Sequence, residues 1–137
     1  MAWVVDTCVL LDIRLGHPEE FAHAAATCLR KYMADELIIC PVTFVEMAPA
    51  FHGNSSIQMN WLDALNISYR EVFQPVDILC CHQLWDDYIQ RKRRGTVAKR
   101  PVADILIAGF SMRFQGIITR NITDFRTISS SLSIIHP

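Results

Sequence analysis

The chain has 137 residues, 51% of them hydrophobic and 20% charged, with a formal net charge of −1. This length supports one ordinary domain core, and the composition excludes disorder and a membrane span of ~20 apolar residues. Near-neutral charge gives no global attraction to polyanions, so a nucleic-acid partner needs a local basic patch.

In chain order, Ala2 to Val5 reads as a strand buried on both faces, as central parallel strands are. Val9, Leu10, Ile13 and Leu15 give a short helical segment ending near Gly16. Pro18 then opens a helix with Glu19 and Glu20 in its first turn, where the helix dipole favours acids. Leu37 to Cys40 is a second buried strand. A helix from Thr43 to Ala48 follows, with Pro49 kinking or ending it. Ser56 to Leu65 has helical spacing, Tyr69 to Phe73 reads as a third strand, and Pro75 starts a helix reaching Arg94. A basic loop, 95–100, leads to a helix over Pro101 to Phe114. Gly116 to Thr119 and Leu132 to Ile135 are the last two strands. Strands alternating with helices predict a three-layer α/β/α sandwich around a mostly parallel five-stranded sheet, one domain spanning 1–137.

Cys8, Cys28, Cys40, Cys80 and Cys81 contain no C-x-x-C pair and read as small core side chains in a reducing cytoplasm. The beginning of the sequence lacks the basic and long apolar regions of an export signal, in keeping with that compartment. The five histidines form no i,i+4 pair, so zinc is not indicated.

Ligands of open α/β sheets gather beyond the carboxyl ends of the strands. Four acids fall at such junctions: Asp6 after the first strand, Glu46 after the second, Asp104 opening the helix before the fourth, and Asp124 just after the fourth. Each has an ordinary alternative. Thr43 and Glu46 match a capping box, Asn121 and Asp124 an N-cap pair, Asp104 suits a helix dipole, and Asp6 an N-cap. Together, four carboxylates would repel one another unless a cation neutralised them. An all-oxygen set suits Mg²⁺ or Mn²⁺, one ion or two, and such ions support phosphodiester hydrolysis.

The sequence resembles PIN-domain ribonucleases, most of all the VapC-type toxins of toxin–antitoxin pairs, over essentially its whole length. The resemblance rests on VVDTCVLLD, PVTFVEM around Glu46, PVADILIAGFS around Asp104, GIITRNITDF around Asp124 and the closing SIIHP. It implies that Asp6, Glu46 and Asp104 are the core metal-binding and catalytic acids. The family's fourth acid stands either directly after the T-R pair, here Asn121, or before the Phe of D-F, here Asp124, which inherits the role. Relatives continue after the glutamate with Leu and a small residue, whereas this chain has Met47, Ala48 and Pro49. The resemblance further implies RNA cleavage leaving a 5′-phosphate, homodimers, and a small antitoxin whose segment enters the acidic cleft.

Thr7, Thr119 and Asn121 either orient water and carboxylates beside the metal or cap turns. Arg93, Arg94, Lys99 and Arg100 form a basic stretch that either tracks RNA phosphates or is a solvated helix end; Arg113 and Arg120 are further RNA candidates. The sets Phe44, Met47, Phe51 and Ile57, Trp61, Leu65 read as core, or in part as a dimer or antitoxin face. A haloacid-dehalogenase-like phosphatase would need an acid at Cys8, and a receiver domain paired acids after the first strand. The non-enzymatic alternative is a PIN-fold RNA- or protein-interaction module without cleavage activity.

Overall fold

Ala2–Val5 (β1) is buried at every position, which places it at the centre of the sheet. The computed structural model describes residues 1–93 and 101–137, without the Arg93 side chain. The predicted basic loop with Lys99 and Arg100, and Arg94 at the end of the predicted helix before it, therefore lie outside the described residues, as does the side chain of Arg93.

The chain runs from β1 into α1 (Thr7–Leu15) and α2 (Glu19–Lys31), then β2 (Glu36–Ile38) and α3 (Pro41–Glu46). A 3-10 turn (Ala48–Phe51) leads to α4 (Ser55–Ala64), β3 (Ile67–Ser68) and α5 (Pro75–Arg93). The remaining elements are α6 (Val102–Ser111), β4 (Gly116–Ile118), α7 (Ile122–Ile128) and β5 (Ile134–Ile135). Gly16 closes α1 with φ 75°, a left-handed conformation that glycine adopts without a Cβ clash.

The sheet order is β3-β2-β1-β4-β5, with every pairing parallel. Strand alternation divides the core. Ala2, Val4, Ile38 and Ile117 face Cys81 of α5, Ile105 and Phe110 of α6, and Phe125 of α7. Trp3, Val5, Leu37 and Ile118 face Val9 and Leu10 of α1, Leu29 of α2, and Leu62 of α4. These are the predicted three layers.

Three local expectations change. Tyr69 to Phe73 is not the third strand, which is Ile67–Ser68. Ile67 and Ser68 pair with Leu37 and Ile38, and Ser68 O accepts from Ile39 N. Beyond this point β2 gives way to α3 at Pro41, leaving YREVF no strand to extend along. The helix carrying Glu46 begins at Pro41 instead of Thr43 and ends before Pro49, which sits in the 3-10 turn. Finally, Ile57 is 50% exposed and is not core, whereas Met47 and Phe51 are buried.

Candidate active site

Strand order reverses at β1, because β2 and β3 lie on one side and β4 and β5 on the other. The crevice beyond the carboxyl ends of β1 and β4 is therefore the place where this fold leaves room for a ligand. Asp6 stands there, only 2% exposed, its backbone N–H continuing the ladder to Ile118 O. It is the N-cap of α1, its Oδ1 accepting from Thr7 N at 2.8 Å. Oδ2 accepts from the Thr119 hydroxyl at 2.7 Å and from the Cys8 thiol at 3.3 Å. Thr119 is itself buried and accepts from the backbone N–H of Asn121 at 3.0 Å.

The capping reading of Asp6 thus holds, and the same carboxylate lies at the carboxyl end of β1. One oxygen starts the helix, and both are fixed by donors. Those donors are all neutral, and burial pushes the Asp6 pKa above its ordinary value of 3.8; the negative charge of Glu46 adds to the rise, against the hydrogen bonds. A cation bound beside the two acids would offset that cost, since metal binding displaces the proton.

Glu46, at the exposed end of α3, is drawn to the same mouth by Thr7, whose hydroxyl donates to Oε1 at 2.6 Å. The Thr7 hydroxyl also lies 3.0 Å from that of Thr43. Thr43 is the third residue of α3 and Glu46 its last, so the T-x-x-E spacing is not a capping box.

Asp104 is half-buried in the first turn of α6, a helix that packs against α3. Asp124 is exposed in the first turn of α7, and Asn121 caps that helix without a side-chain bond. The structure thus brings Asp6 and Glu46 together through Thr7. Among the described residues, no three acids, histidines or cysteines stand close enough to grip one ion.

Cys8 is the neighbour that sequence reading placed in the core. As the second residue of α1 it turns back onto the N-cap, touching Asp6 and lying 3.6 Å from the Thr119 hydroxyl. Burial, then the charge of Asp6, pushes its thiol up to about 12, so it acts here as a neutral donor. All five cysteines are free thiols.

The two arginines considered for RNA have different surroundings. Arg113 makes two bonds to the buried Asp77, at 2.9 and 3.0 Å, and lies over Phe114. Arg120 makes two bonds to Asp12, at 2.9 and 3.0 Å, directly after Thr119.

The whole fold matches solved structures. VapBC2 from Rickettsia felis, bound to a DNA fragment from its promoter, superposes with a TM-score of 0.67 at 16% identity, covering 100% of this chain and 99% of that chain. FitAB bound to an IR36 DNA fragment gives 0.68 at 15%, over 100% and 95%. VapBC-1 from nontypeable Haemophilus influenzae gives 0.67 at 18%, over 99% and 98%. At such identities the likeness establishes the fold. No protein-family model matches the sequence, and no curated protein does.

Proposed function

We propose that this PIN-fold chain is a metal-dependent endoribonuclease and the toxin of a toxin–antitoxin pair. The observation that carries the reading is Asp6, a buried carboxylate at the sheet's switch point, held by neutral donors and facing Glu46. Asp6, Glu46 and Asp104 would hold Mg²⁺ or Mn²⁺, one ion or two, with Asp124 as the fourth acid. The oxygen-only donors suit such hard ions. When bound, the cation activates water and neutralises charge on a phosphodiester.

The chain's own contribution is positioning. Thr119 and Cys8 aim Asp6, and Thr7 holds Glu46 towards the same mouth, so that two of the acids are positioned before binding. The structural neighbours are VapBC and FitAB complexes, which supports a small antitoxin as partner. A homodimer and an RNA substrate follow from the sequence resemblance. Among the described residues no helix is long and apolar enough to cross a membrane.

One observation favours the alternative of an interaction module without cleavage: no three ligating groups are gathered in the described structure. Repulsion between carboxylates gives a physical reason for that spacing before a cation arrives. Purified protein incubated with labelled single-stranded RNA is expected to cut it with Mn²⁺ or Mg²⁺ and to stop with EDTA. Asp104→Asn is expected to remove the metal-dependent cleavage. RNA binding without cleavage under every metal condition would select the interaction module.

A further inference from the structure

Asp12 closes the motif VVDTCVLLD, and the acid site makes no use of it. It is 8% exposed and pairs with Arg120, accepting from Nε at 2.9 Å and Nη2 at 3.0 Å. This bidentate pair crosses from α1 to the segment after β4. The Arg120 guanidinium also lies 4.5 Å from the ring centre of Phe21 on α2. Carboxylate and ring together fix a side chain that otherwise has many rotamers.

The fixed group sits at the mouth of the acid site. Its neighbour Thr119 binds Asp6, and its own backbone N–H faces the Cys8 thiol that touches Asp6. The charge of Asp6 reaches the guanidinium as well, raising its pKa behind the larger effect of Asp12. Asp12 occupies one edge of the fork, through Nε and one Nη2 hydrogen. Nη1 and the second Nη2 hydrogen have no partner among the described residues, and the side chain is 34% exposed.

A structural clamp alone would account for the Asp12 pair. It does not account for an open donor edge next to two carboxylates that otherwise repel a polyanion. We infer that Arg120, aimed by Asp12 and Phe21, binds a phosphate of the RNA beside the bond that is cut, through its free Nη1 and Nη2 hydrogens. This rests on the ribonuclease reading and assigns substrate positioning within it. Planar guanidinium donors match phosphate oxygens two at a time, which fixes register as well as adding affinity.

The test is steady-state cleavage of a short labelled single-stranded RNA with Mn²⁺, as a function of monovalent salt. Arg120→Gln is expected to raise KM about tenfold with a smaller change in kcat, as loss of a charged hydrogen bond does. It is also expected to flatten the slope of log kcat/KM against log salt by about one. Arg120→Lys restores the slope. Asp12→Asn, which breaks the same clamp but keeps the cation, retains the wild-type slope. The double variant Asp12→Asn/Arg120→Gln carries no stranded charge, and it shows the flattened slope if Arg120→Gln alone fails to fold. Equal slopes in wild type and Arg120→Gln (or the double variant), or the same flattening in Asp12→Asn, would overturn the inference and leave the ribonuclease reading standing. A wild-type protein that cuts no RNA would overturn both.

Discussion

Asp6→Asn is expected to make the metal-free protein more stable at neutral pH while removing metal-dependent cleavage. Burial, with the Glu46 charge adding to it, holds the Asp6 pKa above its unfolded value of 3.8. A raised carboxylate contributes stability while protonated, fully below the unfolded pKa, and loses it as pH rises through the folded pKa. Metal-free wild type should therefore lose melting temperature from about pH 4 upward, and Asp6→Asn should lose less over the same window. The amide still caps α1 through its oxygen, and the Thr119 hydroxyl accepts from the new NH₂. Removing a buried charge held only by neutral donors is worth about 1–2 kcal/mol here, or roughly 4–8 °C. Cleavage is expected to fall by more than about 100-fold, beyond the 10–100-fold typical of outer-shell losses. Thermal melts across pH with EDTA check the first half. Identical pH profiles for the two proteins would show that Asp6 carries no such strain.

Gly109→Ala is expected to destabilise the fold. Gly109 lies where α6 crosses α5, and a Cβ there would overlap Cys81 Sγ and come within 3.0 Å of its N and 3.1 Å of its Cα. Even if the sulfur turns away, the close backbone atoms of α5 cannot, because packed helices leave few voids. Alanine gains about 1 kcal/mol of helix propensity, but overpacking against backbone costs about 1–3 kcal/mol or more, and the clash wins. A net fall of roughly 4–8 °C in melting temperature is expected. Cleavage should also drop, because α6 carries Asp104 in its first turn. Adding Cys81→Ala removes the sulfur overlap and leaves the backbone contacts, so recovery should be partial. A wild-type melting temperature for Gly109→Ala would mean that the helices separate without cost.

Elements with a local signature were legible in the sequence. The apolar run before Asp6, the proline and paired glutamates opening α2, and Gly16 ending α1 each carry their own reason. Asp6, Thr7 and Thr119 were legible as neighbours for the same cause, since strand ends in a parallel sheet converge. Elements that depend on a distant partner were not. The length of β3 is set by where β2 turns into α3 at Pro41. Asp12 and Arg120 are separated by 108 positions, and Asp77 and Arg113 by 36, so neither ion pair leaves a local pattern. The apolar neighbours of Cys8 predict a core side chain, and it does pack against the core, but its place just after an N-cap Asp also turns the thiol onto the carboxylate. The 3-residue spacing of Thr43 and Glu46 suggested a cap, yet both face Thr7 from another element.

The central claim is that these carboxylates form a metal centre. Its most direct test is a crystal of the protein soaked in Mn²⁺, with the ion located by anomalous scattering. The account predicts Mn²⁺ at the carboxyl end of β1, with carboxylate oxygens of Asp6 and Asp104 at about 2.2 Å and Glu46 in its coordination or water shell. Saturating Mn²⁺ that leaves Asp6 and Asp104 without an ion, or binds only elsewhere on the surface, would contradict it.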